Sequence, residues 1–230
     1  MKLLIISAGP GLKQIRETYG HAVDWISSLV GSPSLTIDVN NIYEGDDFDS
    51  SNYDAWIITG SAYSVLDNSN WINLLKNKII EGDKKNIPML GICFGHQIIC
   101  EALGGKVNRN RLGWELGSYK VKFNSSASSF NIFKNIDFND FFYFSHEDIV
   151  SKLPERAIRI ASNKMGLQAF VVDNRIFGVQ FHPEFTKEIM EMYIKIRYEK
   201  GIINDLVKVN KSKTSHNLIA NFIKFCEEKK

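Results

Sequence analysis

The 230-residue sequence has only three cysteines, Cys93, Cys100 and Cys226. An odd, widely spaced set makes neither a disulfide framework nor a zinc site, and it suits a reducing compartment. Charge of one sign is scarce as well. Lys and Arg number 28 against 26 Asp and Glu, a formal net charge of +2, too little to direct the chain to nucleic acid or to an anionic membrane. No apolar run approaches membrane-spanning length, and the opening Met1–Ser7 stretch is too short for a secretory leader. These absences point to a cytoplasmic protein. Neither Gly-x-Gly-x-x-Gly nor a Gly-Lys-Ser/Thr loop is present, so Ala8-Gly9-Pro10-Gly11 is not read as a nucleotide site. There is no internal repeat. No group of His, Cys and acid has metal-ligand spacing, so neither metal nor cofactor is expected.

What is present centres on Ile87-Pro88-Met89-Leu90-Gly91-Ile92-Cys93-Phe94-Gly95-His96-Gln97. An apolar strand runs straight into a helical pattern carrying Ile98, Ile99, Ala102 and Leu103, stopped by Gly104-Gly105. Cys93 has Gly two before and two after, the Gly-x-Ser-x-Gly nucleophile elbow with a thiol in place of the hydroxyl. A helix N-terminus beside a thiol favours thiolate. A lone Cys is most often a small core residue; strand, elbow and helix together argue for a nucleophile here. Cys100 and Cys226, each on a helix face without a partner, read as core.

The second informative stretch is Gly178-Val179-Gln180-Phe181-His182-Pro183-Glu184. Strand ends at the carboxyl edge of a parallel sheet meet at one crevice, so His182 and Cys93 are candidate neighbours. Residues two apart in an extended chain project to the same side, which lets Glu184 hold the His182 ring. This is the order nucleophile, base, orienter. A third stretch, Thr59-Gly60-Ser61-Ala62, follows another apolar strand. Its backbone N–H groups and that of Phe94 are candidate oxyanion donors, and losing one such donor typically costs about 10²–10³ in rate. His96 reads as structural. His146 competes as the base.

The elements support this placement. Strands are expected at Lys2–Ser7, Ser34–Val39 and Tyr53–Thr59 and in the apolar run that leads from Ile87 into the elbow, with helices at Ile15–Leu29 and Trp71–Ile80, the latter closed by Gly82. Short strands follow at Ser118–Phe123, Phe141–Phe144, Ala157–Ala161, Leu167–Val172 and Ile176–Phe181, then helices at Lys187–Lys200 and Ser215–Lys229. Lys208–Ser215 reads as an exposed loop. Alternating strands and helices predict an α/β protein with a three-layer architecture: a mixed, mostly parallel central sheet with helices on both faces. One domain over residues 1–230 is expected, a catalytic core to about 186 and a helical tail over 187–230.

Gly-Ile-Cys-Phe-Gly-His-Gln with Phe-His-Pro-Glu resembles the class I, triad-type glutamine amidotransferases, from the first strand to about Phe185. The resemblance implies a flavodoxin-like fold, a nucleophile at Cys93, a general base and acid at His182 and an orienting carboxylate at Glu184. It implies oxyanion donors at the N–H groups of Ser61 and Phe94, and substrate contacts at Gly60, Gln97 and the Ser145-His146-Glu147-Asp148 loop. Two departures stand out. Glu147 replaces a family Gly. Ser61 replaces the second Gly of Gly-Gly, where a Cβ would penalise positive φ. Gly104-Gly105-Lys106-Val107, Gly113-Trp114-Glu115-Leu116-Gly117 and the His-Pro-Glu segment look like the stand-alone branch, similar to the amidotransferase domain of GMP synthetase and to γ-glutamyl peptidases. The implied reaction is hydrolysis of the glutamine γ-amide through a γ-glutamyl thioester, releasing ammonia and glutamate. The alternative is hydrolysis of γ-glutamyl peptides, and a third reading is a non-catalytic binding protein on the same fold. The implied partners are glutamine or a γ-glutamyl small molecule and a separate synthetase that accepts ammonia.

Overall fold

A computed structural model of the protein describes residues 1–31, 34–67 and 69–229. The chain runs β1 (Lys2–Ile6), α1 (Lys13–Tyr19), α2 (Ala22–Ser28), β2 (Thr36–Asn40), β3 (Ala55–Ile58), α3 (Asn70–Lys84), β4 (Met89–Ile92) and α4 (Phe94–Ala102). It continues through β5 (Lys106–Arg109), β6 (Glu115–Tyr119), β7 (Lys122–Phe123), β8 (Phe142–His146), β9 (Asp148–Lys152), β10 (Ala157–Asn163), β11 (Gly166–Val172) and β12 (Ile176–Val179). Helices α5 (Lys187–Glu199) and α6 (Asn217–Glu227) close it.

The central sheet has the strand order β2-β1-β3-β4-β12-β11-β10-β7. Every pairing from β2 to β12 is parallel, and β11, β10 and β7 continue it antiparallel. Two antiparallel ribbons, β5-β9 and β6-β8, stand beside it. Alternation along β1 sends Leu3 and Ile5 to one face, with Ile26 of α2 and Leu218 and Phe222 of α6. Leu4 and Ile6 go to the other, with Ile72 and Leu75 of α3 and Ile98 of α4. Buried strands with both faces covered read as continuous apolar runs, which is why β1, β3 and β4 were legible.

Several expectations need correction. The single helix expected over Ile15–Leu29 is two, because Gly20 leaves α1 with φ 82° and His21 caps α2 through its ring, accepting from the Val23 N–H. Gly82 does not end α3. It lies inside the helix, where a Cβ would stand 2.5–2.6 Å from Met89 Cε and the Trp56 ring. The segment Ser118–Phe123 divides into β6 and β7, and β5 and β9 are additional strands. Lys208–Ser215 is not simply exposed: Val209 and Ser215 are buried, and the Asp140 carboxylate accepts from the Lys213 and Thr214 N–H groups at 2.7 and 2.8 Å.

Two glycines leave almost no space where α4 meets the sheet. A Cβ on Gly91 would stand 2.4 Å from the Gly95 carbonyl carbon, and one on Gly95 would stand 2.3 Å from the Ile58 carbonyl oxygen. Both obstacles are backbone, which cannot rotate away. Gly104, by contrast, has φ 95° with open space around it. Gly91→Ala is therefore expected to cost at least about 3 kcal/mol through overpacking, and Gly104→Ala only about 1–2 kcal/mol of left-handed backbone strain. Denaturant unfolding of the two variants checks the order; equal losses would contradict it.

Candidate active site

Cys93 follows β4 directly and precedes the first residue of α4. Its backbone sits at φ 51°, ψ −100°, a conformation that L residues adopt only when their surroundings enforce it. The enforcement is visible. The Cys93 N–H donates to the Val179 carbonyl at 2.9 Å, its carbonyl accepts from the Gln97 N–H at 3.1 Å, and the two glycine contacts hold the helix down. The side chain is nearly buried, with Sγ 4.0 Å from the Ser145 carbonyl oxygen.

His182 reaches the same point from the end of β12, the parallel neighbour of β4. Its Nδ1 lies 2.8 Å from Glu184 Oε1, and both residues are buried. Its ring stacks on Phe185 at 4.0 Å between centroids, and Phe185 stacks on Tyr193 of α5 at 5.0 Å. The ring also lies over Gly60, where a Cβ would meet His182 Cε1 at 2.8 Å and Cys93 Cβ at 3.6 Å. Gly60, Cys93 and His182 thus meet at one contact point. Burial by itself lowers the His182 pKa, but the charges of Glu184 and of Cys93 outweigh it and raise the value to about 10.

Ser61 and Phe94 border the same space. Among the described residues neither their N–H groups nor the Ser145 Oγ has a hydrogen-bond partner. The expected backbone penalty at Ser61 does not arise. Among the described residues, those other than glycine with positive φ are Asn86, Cys93, Asn135, Asp173 and Asn174. The Ser61 hydroxyl instead donates to the Ala8 carbonyl at 2.7 Å and accepts from the Tyr63 N–H at 3.1 Å, tying this loop to the one after β1. Glu147 also avoids positive φ, so its side chain fits where the family has Gly.

The remaining expected residues form the wall of one cavity with Cys93. Gln97 is buried, and its Nε2 donates to the Asp148 carbonyl at 2.8 Å and to Gln180 Oε1 at 3.0 Å. This leaves its Oε1 as the group available to a ligand. His146 is not placed as a base. Its Nε2 is 3.0 Å from Glu115 Oε2 and its Nδ1 is 3.0 Å from the Asp148 carbonyl. Glu115 in turn accepts from Asn163 Nδ2 at 2.5 Å and Gln168 Nε2 at 2.9 Å. Glu147 pairs with Arg109, and Asp148 accepts from the Ser64 hydroxyl. His96 is fully buried against Phe170, and burial lowers its pKa to about 3, so its ring is neutral. Cys100, whose pKa burial raises to about 12, sits in the core beside the Lys152 carbonyl.

Several residues of the site carried no usable signal in the sequence. Phe185 and Tyr193 fix the His182 ring, Glu115 anchors His146, and Trp114 and Arg197 line the cavity beside Cys93. Trp114 and Glu115 join the site through the β6-β8 ribbon, and Phe185, Tyr193 and Arg197 through α5 and the segment before it, whose docking no local pattern encodes. A second cavity opens on the His182 side, walled by Leu12, Ile15, Trp25, Phe185 and Tyr193.

The raised His182 pKa carries a stability consequence. A group that binds its proton more tightly in the folded state stabilises the fold fully below its unfolded value, here 6.5. That contribution is lost as the pH rises through the folded value of about 10. The stability gap between the wild type and His182→Gln is therefore expected to narrow from about pH 6.5 to about pH 10. Urea unfolding across that range checks it, and a gap that widens with pH contradicts a charged, paired imidazole.

Comparison with known proteins identifies the family. The profile of the family "Glutamine amidotransferase class-I" matches residues 30–197. "Gamma-glutamyl peptidase 2" of Arabidopsis thaliana is 30% identical over 235 residues, 96% of this chain and 94% of its own. "GMP synthase [glutamine-hydrolyzing]" of Clostridium kluyveri is 38% identical over 159 residues, 66% of this chain and 29% of its own. The crystal structure of a glutamine amidotransferase from Thermotoga maritima superposes with a TM-score of 0.75 at 21% identity, over 99% of this chain and 98% of that one. Among the described residues no helix is long and apolar enough to cross a membrane. The chain belongs to the class I glutamine amidotransferase family.

Proposed function

We propose that the protein is a cysteine-nucleophile hydrolase of γ-glutamyl amides, with the γ-amide of glutamine as its simplest substrate. The observation that carries this reading is the meeting of Cys93, the His182–Glu184 pair and two unpartnered N–H groups at one crevice. The Cys93 thiolate attacks the γ-carbonyl carbon. The N–H groups of Phe94 and Ser61 stabilise the oxyanion that forms. His182 gives its proton to the leaving amine, which departs as ammonia when the substrate is glutamine. The resulting thioester is attacked by water, whose proton His182 takes, and glutamate leaves as Cys93 is regenerated. Glu184 holds the ring through both halves. The cavity beside Cys93 carries both signs of charge, Arg109 and Arg197 with Glu147 and Asp148, which suits the zwitterionic end of an α-amino acid. Gly60, Gln97, Ser145 and His146 complete its contacts. In this reading ammonia passes to a separate synthetase.

A second reading, γ-glutamyl peptides as substrates, is favoured by the apolar cavity on the His182 side. His182 protonates the leaving amine, so a bulky amine would lie there. Cys93→Ser is expected to lower turnover by about 10⁴-fold or more while leaving the melting temperature unchanged. The assay offers glutamine and γ-glutamyl dipeptides separately and measures ammonia, glutamate and released amine. Undiminished activity in the serine variant would refute the mechanism. Fast dipeptide cleavage with little ammonia from glutamine would select the second reading.

A further inference from the structure

We infer that Arg197, in the last turn of α5, anchors the α-carboxylate of the γ-glutamyl substrate; this rests on the reading of the site as a γ-glutamyl hydrolase.

The side chain is conspicuous for what it lacks. Arg175 donates to the Asp83 carboxylate at 2.6 Å and to the Asp83 carbonyl at 3.0 Å. Arg156 pairs with Asp83 and Asp173, and Arg109 pairs with Glu147. The Arg197 guanidinium, among the described residues, has neither a hydrogen bond nor an ion pair, and its Nε is buried without an acceptor. Leaving a charged donor desolvated and unmatched is costly. Burial accordingly lowers its pKa, against the opposing influence of Tyr193, Cys93 and Glu147.

Its ring contact is of a revealing kind. The guanidinium carbon lies 3.8 Å from the centroid of the Trp114 ring. That contact takes up none of the guanidinium's N–H donors, and Nε has no acceptor among the described residues. A guanidinium's N–H fork matches a carboxylate with two parallel hydrogen bonds. Arg197 lines the cavity that contains Cys93. The other guanidinium on that wall, Arg109, is already paired with Glu147 and is largely exposed. In a γ-glutamyl group the α-carbon stands three bonds from the carbonyl carbon that Cys93 attacks. The α-carboxylate and α-ammonium therefore both fall in this cavity, where Glu147 and Asp148 supply the opposite charge for the ammonium.

The test uses L-γ-glutamyl-p-nitroanilide and its α-decarboxylated counterpart, 4-aminobutyryl-p-nitroanilide, with γ-glutamylglycine as a third donor. Arg197→Gln is expected to raise KM for the glutamyl anilide by about 10- to 100-fold, the factor expected for losing a charged hydrogen-bonded contact. Its kcat is expected to change little, as when uniform binding is removed. KM for the decarboxylated anilide is expected to stay the same. Arg197→Lys, which keeps the charge but not the fork, is expected to recover part of the loss. An equal rise for both anilides, or no rise for either, would overturn the assignment. A rise confined to γ-glutamylglycine would also overturn it, and would place the leaving group's carboxylate on Arg197. If the wild type hydrolyses none of the three and releases no ammonia from glutamine, the functional reading fails. Calorimetry with L-glutamate and 4-aminobutyrate then decides the site by itself. Glutamate binding that is lost in Arg197→Gln supports the anchor; no binding to the wild type, or equal binding to both proteins, overturns it.

Discussion

The close approach of α4 to strands β3 and β4 is the constraint on which the site depends. Gly91 and Gly95 leave no room for a single additional carbon between the backbones. With the helix pressed that tightly onto the strand, the chain must reverse within one residue, and that residue is Cys93 at φ 51°. The strain is local, and the hydrogen bonds to Val179 and Gln97 and the glycine contacts over-determine it. The turn also leaves the Phe94 N–H, first in its helix, without an internal acceptor. The same geometry therefore presents a thiol and frees a donor beside it.

The rest of the molecule brings partners to that point. Parallel pairing of β12 with β4 carries His182 to the crevice, and Gly60 lets the ring settle on backbone. The aromatic stack of His182, Phe185 and Tyr193 extends the site into α5. A separate buried network runs from Glu115 through His146 to the Asp148 carbonyl and on to Gln97. It fixes the 145–148 loop. Buried polar networks of this kind are rigid when their members are satisfied. The segment beyond residue 186, longer than a triad requires, supplies Tyr193 and Arg197 to the site, and α6 covers the sheet face opposite α3 and α4.

Physical periodicity explains which elements were legible. Apolar runs bounded by glycine marked β1, β3 and β4, because strands buried on both faces have little choice of composition. The elbow and the His-Pro-Glu segment stood out because their residue types and spacing serve a known division of chemical labour. The break at Gly20 was missed because the apolar pattern continues across it, while φ 82° there is a property of backbone rather than of pattern. Gly82 misled in the opposite direction. Its smallness accommodates Met89, across the turn into β4, and Trp56 of β3, a contact that no window of local sequence contains. The short strands β5 and β9 are half-polar, and only their mutual pairing makes them strands.

The sequence by itself determined the buried parallel strands and the helices that follow them, the elbow at Cys93 and the spacing of His182 to Glu184. All of these rest on interactions between residues near one another in the chain. The tertiary structure alone decided that His146 is held by Glu115, that Ser61 keeps ordinary backbone, and that Arg197 faces the cavity beside Cys93 without a partner. Those outcomes depend on how ribbons and the last helices dock against the sheet. Docking is settled by shape and charge across long loops, where local propensity carries no information.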